Sequence, residues 1–169
     1  MPGAVRFVSH ELTHFRSYDT WVDLKYFAIE GEASDGALVA ALIEHEQYHD
    51  HYAGQDPTDQ AHHSLHGPYR LEAITPAVFG AQSVEAARQE LRTWVSSWVV
   101  IEEDGPEVEE KLATEVLPKM SGDSILRLPD LRAIAEHDWG SVVGHTGFHE
   151  FVIIDRAAGM LTLLVASDD

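Results

Sequence analysis

The sequence has no cysteine in its 169 residues. That absence excludes disulfides, thiolate zinc sites and thiol catalysis together. Basic residues are scarce: 11 Lys and Arg stand against 29 Asp and Glu, for a net charge of −18. A surface this negative repels phosphate backbones and anionic lipid. Lys and Arg are scattered singly, with Arg88 and Arg92 closest to a cluster. Nucleic acid and membrane partners are therefore not expected. No apolar run approaches the roughly 20 residues that span a bilayer. The start, Met1-Pro2-Gly3-Ala4-Val5-Arg6, has no charged region followed by an apolar one, so no signal peptide is expected and the cytoplasm is the expected location.

What is present suits a folded domain. The chain is 44% hydrophobic and 24% charged, a normal balance for a protein with a real core. Neither repeats nor a dividing linker are visible, so residues 1–169 read as a single domain. Trp21 to Ile29 is rich in aromatic and β-branched residues and predicts a strand; Val5 to Phe15 fits neither period cleanly. The pattern predicts a helix from Asp35, as its cap, to about Tyr52, and a loop from Gln55 to Gly67. A short strand follows over Pro68 to Ile74. Further helices are expected over Val84 to about Val100, capped by Ser83, from Pro106 to near Pro118, and from Pro129 to about His137. Trp94 and Trp98 share one face of the second helix and read as core. Phe148 to Ile154 and Met160 to Ala166 read as a hairpin, with Gly159 free to take the left-handed conformation at its turn. Both strands are apolar on both faces, which places them centrally or under helices. Strands at both ends with helices between predict an α+β fold: a mostly antiparallel sheet of N-terminal strands and C-terminal hairpin, covered by about four helices.

Eleven histidines are many for this length, and two groups spell the same pattern: His10-Glu11-Leu12-Thr13-His14 and His45-Glu46-Gln47-Tyr48-His49. On a helix, residues four apart share a face, so two imidazoles can bind one zinc ion while the intervening Glu takes a proton from metal-bound water. The pattern resembles the zinc-binding helix of zincin-type metalloproteases. In the second copy, Leu38, Leu42, His45 and His49 fall on one helical stripe, so the three chemical residues are expected to continue the buried face. The resemblance implies His45 and His49 as ligands and Glu46 as general base. No familiar spacing marks a third ligand; His62, His63, His66 and Glu72 are the candidates.

Other readings fit the same residues. Glu11-x-x-His14 and Glu46-x-x-His49 are also the paired unit of di-iron carboxylate bundles, but a strand-like segment lies between them. His45 and His49 also fit two partly buried histidines bonded to Glu46, Tyr48 or backbone. His145-Thr146-Gly147 reads as a turn. Two functions follow. One is a small zinc-type or other divalent-metal-dependent hydrolase. The other is a non-enzymatic acidic binding protein, inhibitor-like or immunity-like, that covers the basic surface of a protein partner.

Overall fold

Strands with apolar residues on both faces belong in the middle of a sheet, and the C-terminal hairpin lies there. The computed structural model of the protein describes residues 3–15, 19–53, 64–99 and 101–169. The strands are β1 (Val5–His14), β2 (Thr20–Ile29), β3 (Leu65–His66), β4 (Tyr69–Arg70), β5 (Gly80–Gln82), β6 (Ser124–Leu128), β7 (His149–Asp155) and β8 (Met160–Asp168). Six form one sheet in the order β1-β2-β8-β7-β6-β5, with every neighbouring pair antiparallel. β3 and β4 make a separate ribbon. The helices are α1 (Asp35–Glu44), α2 (Val84–Trp98), α3 (Gly105–Lys111) and α4 (Arg132–Ala135). The predicted α+β class, with strands from both ends in one antiparallel sheet under four helices, is the observed one. Among the described residues no helix is long and apolar enough to cross a membrane.

The alternation of β2, β7 and β8 feeds two cores. Phe27, Leu161, Leu163, Val165, Val152 and Ile154 face Leu38, Val39 and Leu42 of α1. Val22, Leu24, Leu164, Phe151 and Ile153 face Leu91, Trp94, Val95 and Trp98 of α2 and Val108 of α3. Trp94 and Trp98 are thus core, as their spacing predicts. The hairpin turn has Gly159 at φ +66°, and the Asp155 carboxylate accepts from the Ala158 N–H.

Several boundaries differ from the expected ones. Val5 to His14 is a full edge strand, bulged between Phe7 and Ser9 where the register shifts. A bulge at an edge discourages further pairing there. α1 is capped by Ser34, whose hydroxyl accepts from the Ala37 N–H, rather than by Asp35. It ends at Glu44 instead of Tyr52, because His45 is extended at ψ 136°. A single 3₁₀ turn, Glu46–Tyr48, follows. The third predicted helix is α3 running into a π turn over Leu112–Val116 and a 3₁₀ turn over Leu117–Lys119. β5 and β6 escape the periodicity because they are only 3 and 5 residues long. Most of the loop expected over Gln55 to Gly67 lies outside the described residues.

One ion pair across the second core predicts an acid response. Glu90 of α2 lies 2.6 Å from Arg127 and 3.4 Å from the His149 ring. Burial alone would raise its pKa. The adjacent His149 ring, with the hydrogen bonds and charge of Arg127, outweighs burial and takes it down to about 2. A depressed carboxylate stabilises the fold above its ordinary pKa of 4.5 and loses that contribution as pH falls towards about 2. Urea melts should show Glu90→Gln less stable than wild type at neutral pH, with the gap closing over that window. A gap undiminished at pH 2 would refute the assignment.

Candidate functional site

The sheet face under α1 is apolar except for one polar stripe. Pairing sets His10 opposite Lys25, Leu12 opposite Asp23 and His14 opposite Trp21. Side chains alternate along a strand, so all six point to this face. Glu150 shares it from β7, opposite Val165 of β8. Asp23, Lys25 and Glu150 are 4%, 3% and 0% exposed. Charged side chains buried so deeply need partners, and the segment after α1 supplies most of them.

Lys25 donates to the Gln47 carbonyl at 2.8 Å and to Asp50 Oδ2 at 3.0 Å. Its ammonium also sits 4.9 Å from the centre of the Tyr52 ring, within cation–π range. Asp50 Oδ1 accepts from the Tyr52 N–H. Burial would raise the Asp50 pKa, but the Lys25 charge and these hydrogen bonds hold it below the usual value. Tyr52 is left-handed at φ +61°, a strained conformation for a large side chain. Its ring stacks on Trp21, with centroids 5.3 Å apart and planes at 19°. The Trp21 indole donates to Asp169 Oδ1 at 3.0 Å.

Together these groups enclose an open cleft of about 160 Å³ between β1, β2 and the Asp50–Tyr52 turn. Its floor is the Trp21–Tyr52 stack. His10 and His14 share its lining with Asp23, Asp50 and Asp169. His10 Nε2 lies 2.5 Å from Asp23 Oδ2. That hydrogen bond is the main reason the His10 pKa is raised above 6.5; the Asp23 and Asp50 charges add to it, while burial and Lys25 oppose it. Two buried polar atoms on the cleft have no hydrogen-bond partner: Asp23 Oδ1 and the Tyr52 hydroxyl. Burial, then the nearby Asp23 and Asp50 charges, pushes the Tyr52 phenol well up, so it keeps its proton.

Beneath the cleft lies a second polar unit. The Tyr48 hydroxyl donates to Glu150 Oε1 at 2.8 Å, and His66 Nε2 lies 2.5 Å from Oε2. His66 Nδ1 lies 2.6 Å from the Tyr48 carbonyl, which only accepts, so Nδ1 carries a proton. The short contact to Oε2 then holds one further proton between imidazole and carboxylate. The Tyr48 and His66 rings stack with centroids 3.7 Å apart, and Tyr52 meets His66 edge-on.

No protein-family model, curated protein or solved structure matches this chain.

The expected zinc helix is corrected by the geometry. His45 and His49 are not on a helix, and Glu46 is exposed while Tyr48 is the buried residue of the group. His45 Nδ1 accepts from the Gln47 N–H, and its ring packs on Phe27. His49 Nε2 donates to the Ile43 carbonyl. Backbone partners thus engage a nitrogen of each ring. His66 is buried with both nitrogens engaged, and Glu72 is exposed beside Arg70. His62 and His63 lie outside the described residues. Among the described residues no three His, Asp or Glu side chains form a group that could hold a metal ion, which overturns the metal-dependent hydrolase reading. The helix fails because the stripe of Leu38 and Leu42 breaks where the backbone turns extended at His45.

The first copy contributes differently. On β1, His10 and His14 share the cleft face, as i and i+4 do on a strand. Glu11 points to the other face, where it accepts from Tyr26 and pairs with Lys119. Sequence reasoning missed Asp23, Lys25 and Glu150. The available signal was charge at alternate positions of otherwise apolar strands.

Proposed function

We propose that the protein is a binding module whose cleft takes a cationic side chain from a basic partner protein. The observation that carries this is Asp23, a carboxylate 4% exposed on the lining of the cleft, whose Oδ1 is buried without a hydrogen-bond partner, as is the hydroxyl of Tyr52 on the same lining. Buried polar atoms are almost always satisfied, and an exception in a cleft marks where a ligand donor belongs. A cation is the donor that suits a carboxylate, a phenol oxygen and an aromatic floor together. Lys25 already answers Asp50 and His10 answers Oδ2 of Asp23, which leaves Oδ1 of Asp23 for the ligand.

Size and charge support the same reading. A volume of about 160 Å³ is that of about five waters and well below the 300–1,000 Å³ usual for small-molecule pockets. It suits the end of one Lys or Arg side chain. The net charge of −18 draws a basic protein in from a distance and disfavours nucleic acid.

The test separates the cleft from diffuse charge. A blocked hexa-arginine peptide serves as the probe, and binding is measured by calorimetry at fixed salt. Asp23→Asn keeps the shape and removes the charge. It should weaken binding about tenfold or more, the worth of a hydrogen bond to a charged group. Glu85→Gln, an exposed acid in the first turn of α2 just after β5, at the sheet edge opposite β1, removes the same charge away from the cleft and should change little. Equal losses in the two variants would sink the cleft as the site.

A further inference from the structure

We infer that cation capture in the cleft is coupled to loss of a proton from His10, so that the site holds its ligand near neutral pH and releases it in mild acid. The inference rests on the reading of the cleft just given and adds its regulation. Its basis is that Asp23 faces two claimants. Oδ2 lies 2.5 Å from His10 Nε2, and Oδ1 of this cleft-lining residue is buried without a partner.

Consider the two states of the imidazole. Neutral His10 with its proton on Nε2 donates to Oδ2 and leaves the full carboxylate charge for a ligand at Oδ1. Protonated His10 completes an ion pair with Asp23, and an arriving cation then meets a neutralised carboxylate and an adjacent positive ring. Both states keep the hydrogen bond, so the switch needs no change of fold.

The surrounding charges do not cancel this competition. From β2, His10 faces Asp23 and, in the paired position, Lys25. From the turn after α1 it feels Asp50. Lys25 and Asp50 bind each other at 3.0 Å and form a closed pair. His14 lies on the same face of β1, and Asp169 is held by the Trp21 indole. Asp23 is therefore the carboxylate that must serve both His10 and the ligand. Partial exposure, 39% for the His10 side chain, lets protons exchange with solvent. His10 already binds its proton more tightly than a free histidine, chiefly through Asp23, which sets the upper edge of the switching window above 6.5.

Reciprocity fixes the sign. If protonation of His10 weakens cation binding, a bound cation must lower the proton affinity of His10 by the same factor. Between the two pKa values, up to one proton leaves per ligand bound, and the dissociation constant rises towards about tenfold per pH unit as pH falls. Well above the window the affinity is flat.

The experiment uses the whole protein and the hexa-arginine probe, whose charge is constant over this range. Calorimetry in buffers of different ionisation enthalpy, from pH 5 to 8, gives proton release directly. The His10 ring resonances, followed by NMR with and without probe, give its pKa in both states without any variant. The expected results are proton release within the window and a lower His10 pKa with probe bound. His10→Gln, whose amide still donates to Asp23 but does not titrate, should lose the pH slope, and His14→Gln should keep it. Binding with no proton release, or a slope that survives in His10→Gln, overturns the coupling and leaves the cleft reading in place. Absence of probe binding at every pH overturns the cleft reading itself.

Discussion

A chain ended at Asp155 should fail to give a soluble, cooperatively melting protein. The truncation removes β8, which lies between β2 and β7 and bonds to both along its length. Without it, two strands that were internal acquire open edges at once, and open edges invite aggregation. Both cores are opened as well. Leu161, Leu163 and Val165 leave the core under α1, and Leu164 and Ala166 leave the core under α2. Each of these side chains is fully buried. A buried Leu or Val is worth about 1.5–3 kcal/mol, so the four larger ones together rival the about 5–15 kcal/mol that stabilises a whole protein. Circular dichroism melts and gel filtration of the truncated chain are the measurements. A soluble monomer with a single sharp transition would mean that β2 and β7 hold together without β8.

The same strand explains what the sequence made legible. Met160 to Ala166 is apolar on both faces but for Thr162, and a strand buried on both faces has that composition. From such runs at the C-terminus and the aromatic and β-branched residues of Trp21 to Ile29, the antiparallel sheet followed. α2 was equally readable, since Ser83 caps it and its apolar residues keep one period. The site was not legible, for a physical reason. His45, Glu46 and His49 satisfy a helical spacing rule, but spacing carries chemistry only if the helix continues through it. The apolar residues after Leu42 do not keep the stripe: Tyr48 is the next side chain to be buried, and it lies off the line of Leu38 and Leu42. The groups that line the cleft come from β1, β2 and the turn at Asp50, segments whose meeting depends on strand register rather than on local pattern. Their one trace in the sequence is the pair of charges, Asp23 and Lys25, set among apolar residues of β2. A charge at such a place must be answered by another element, and the answering groups are what build the site.

Glu150 shows the same rule at its strongest. Glu150→Ala should cost about 3–5 kcal/mol, the usual loss when one member of a buried pair is removed. The carboxylate is fully buried and accepts from Tyr48 through one oxygen while sharing a proton with His66 through the other. Alanine strands both partners in an apolar surround, where each unsatisfied group carries its own desolvation penalty. At about 2–4 °C per kcal/mol for a protein of this size, the melting temperature should fall by about 6–20 °C. Tyr48→Phe deletes one donor and leaves Oε1 unanswered, for a smaller loss of about 1–3 kcal/mol. The decisive measurement is the double variant. His66→Ala should also be costly alone, yet His66→Ala with Glu150→Ala should cost clearly less than the two losses added, because the second change removes a group the first had already orphaned. Because Tyr52 meets His66 edge-on, the same variants should also weaken hexa-arginine binding by loosening the floor of the cleft. Additive losses, or a Glu150→Ala protein within about 0.5 kcal/mol of wild type, the range of an ordinary surface change, would show that the three groups do not act as a unit.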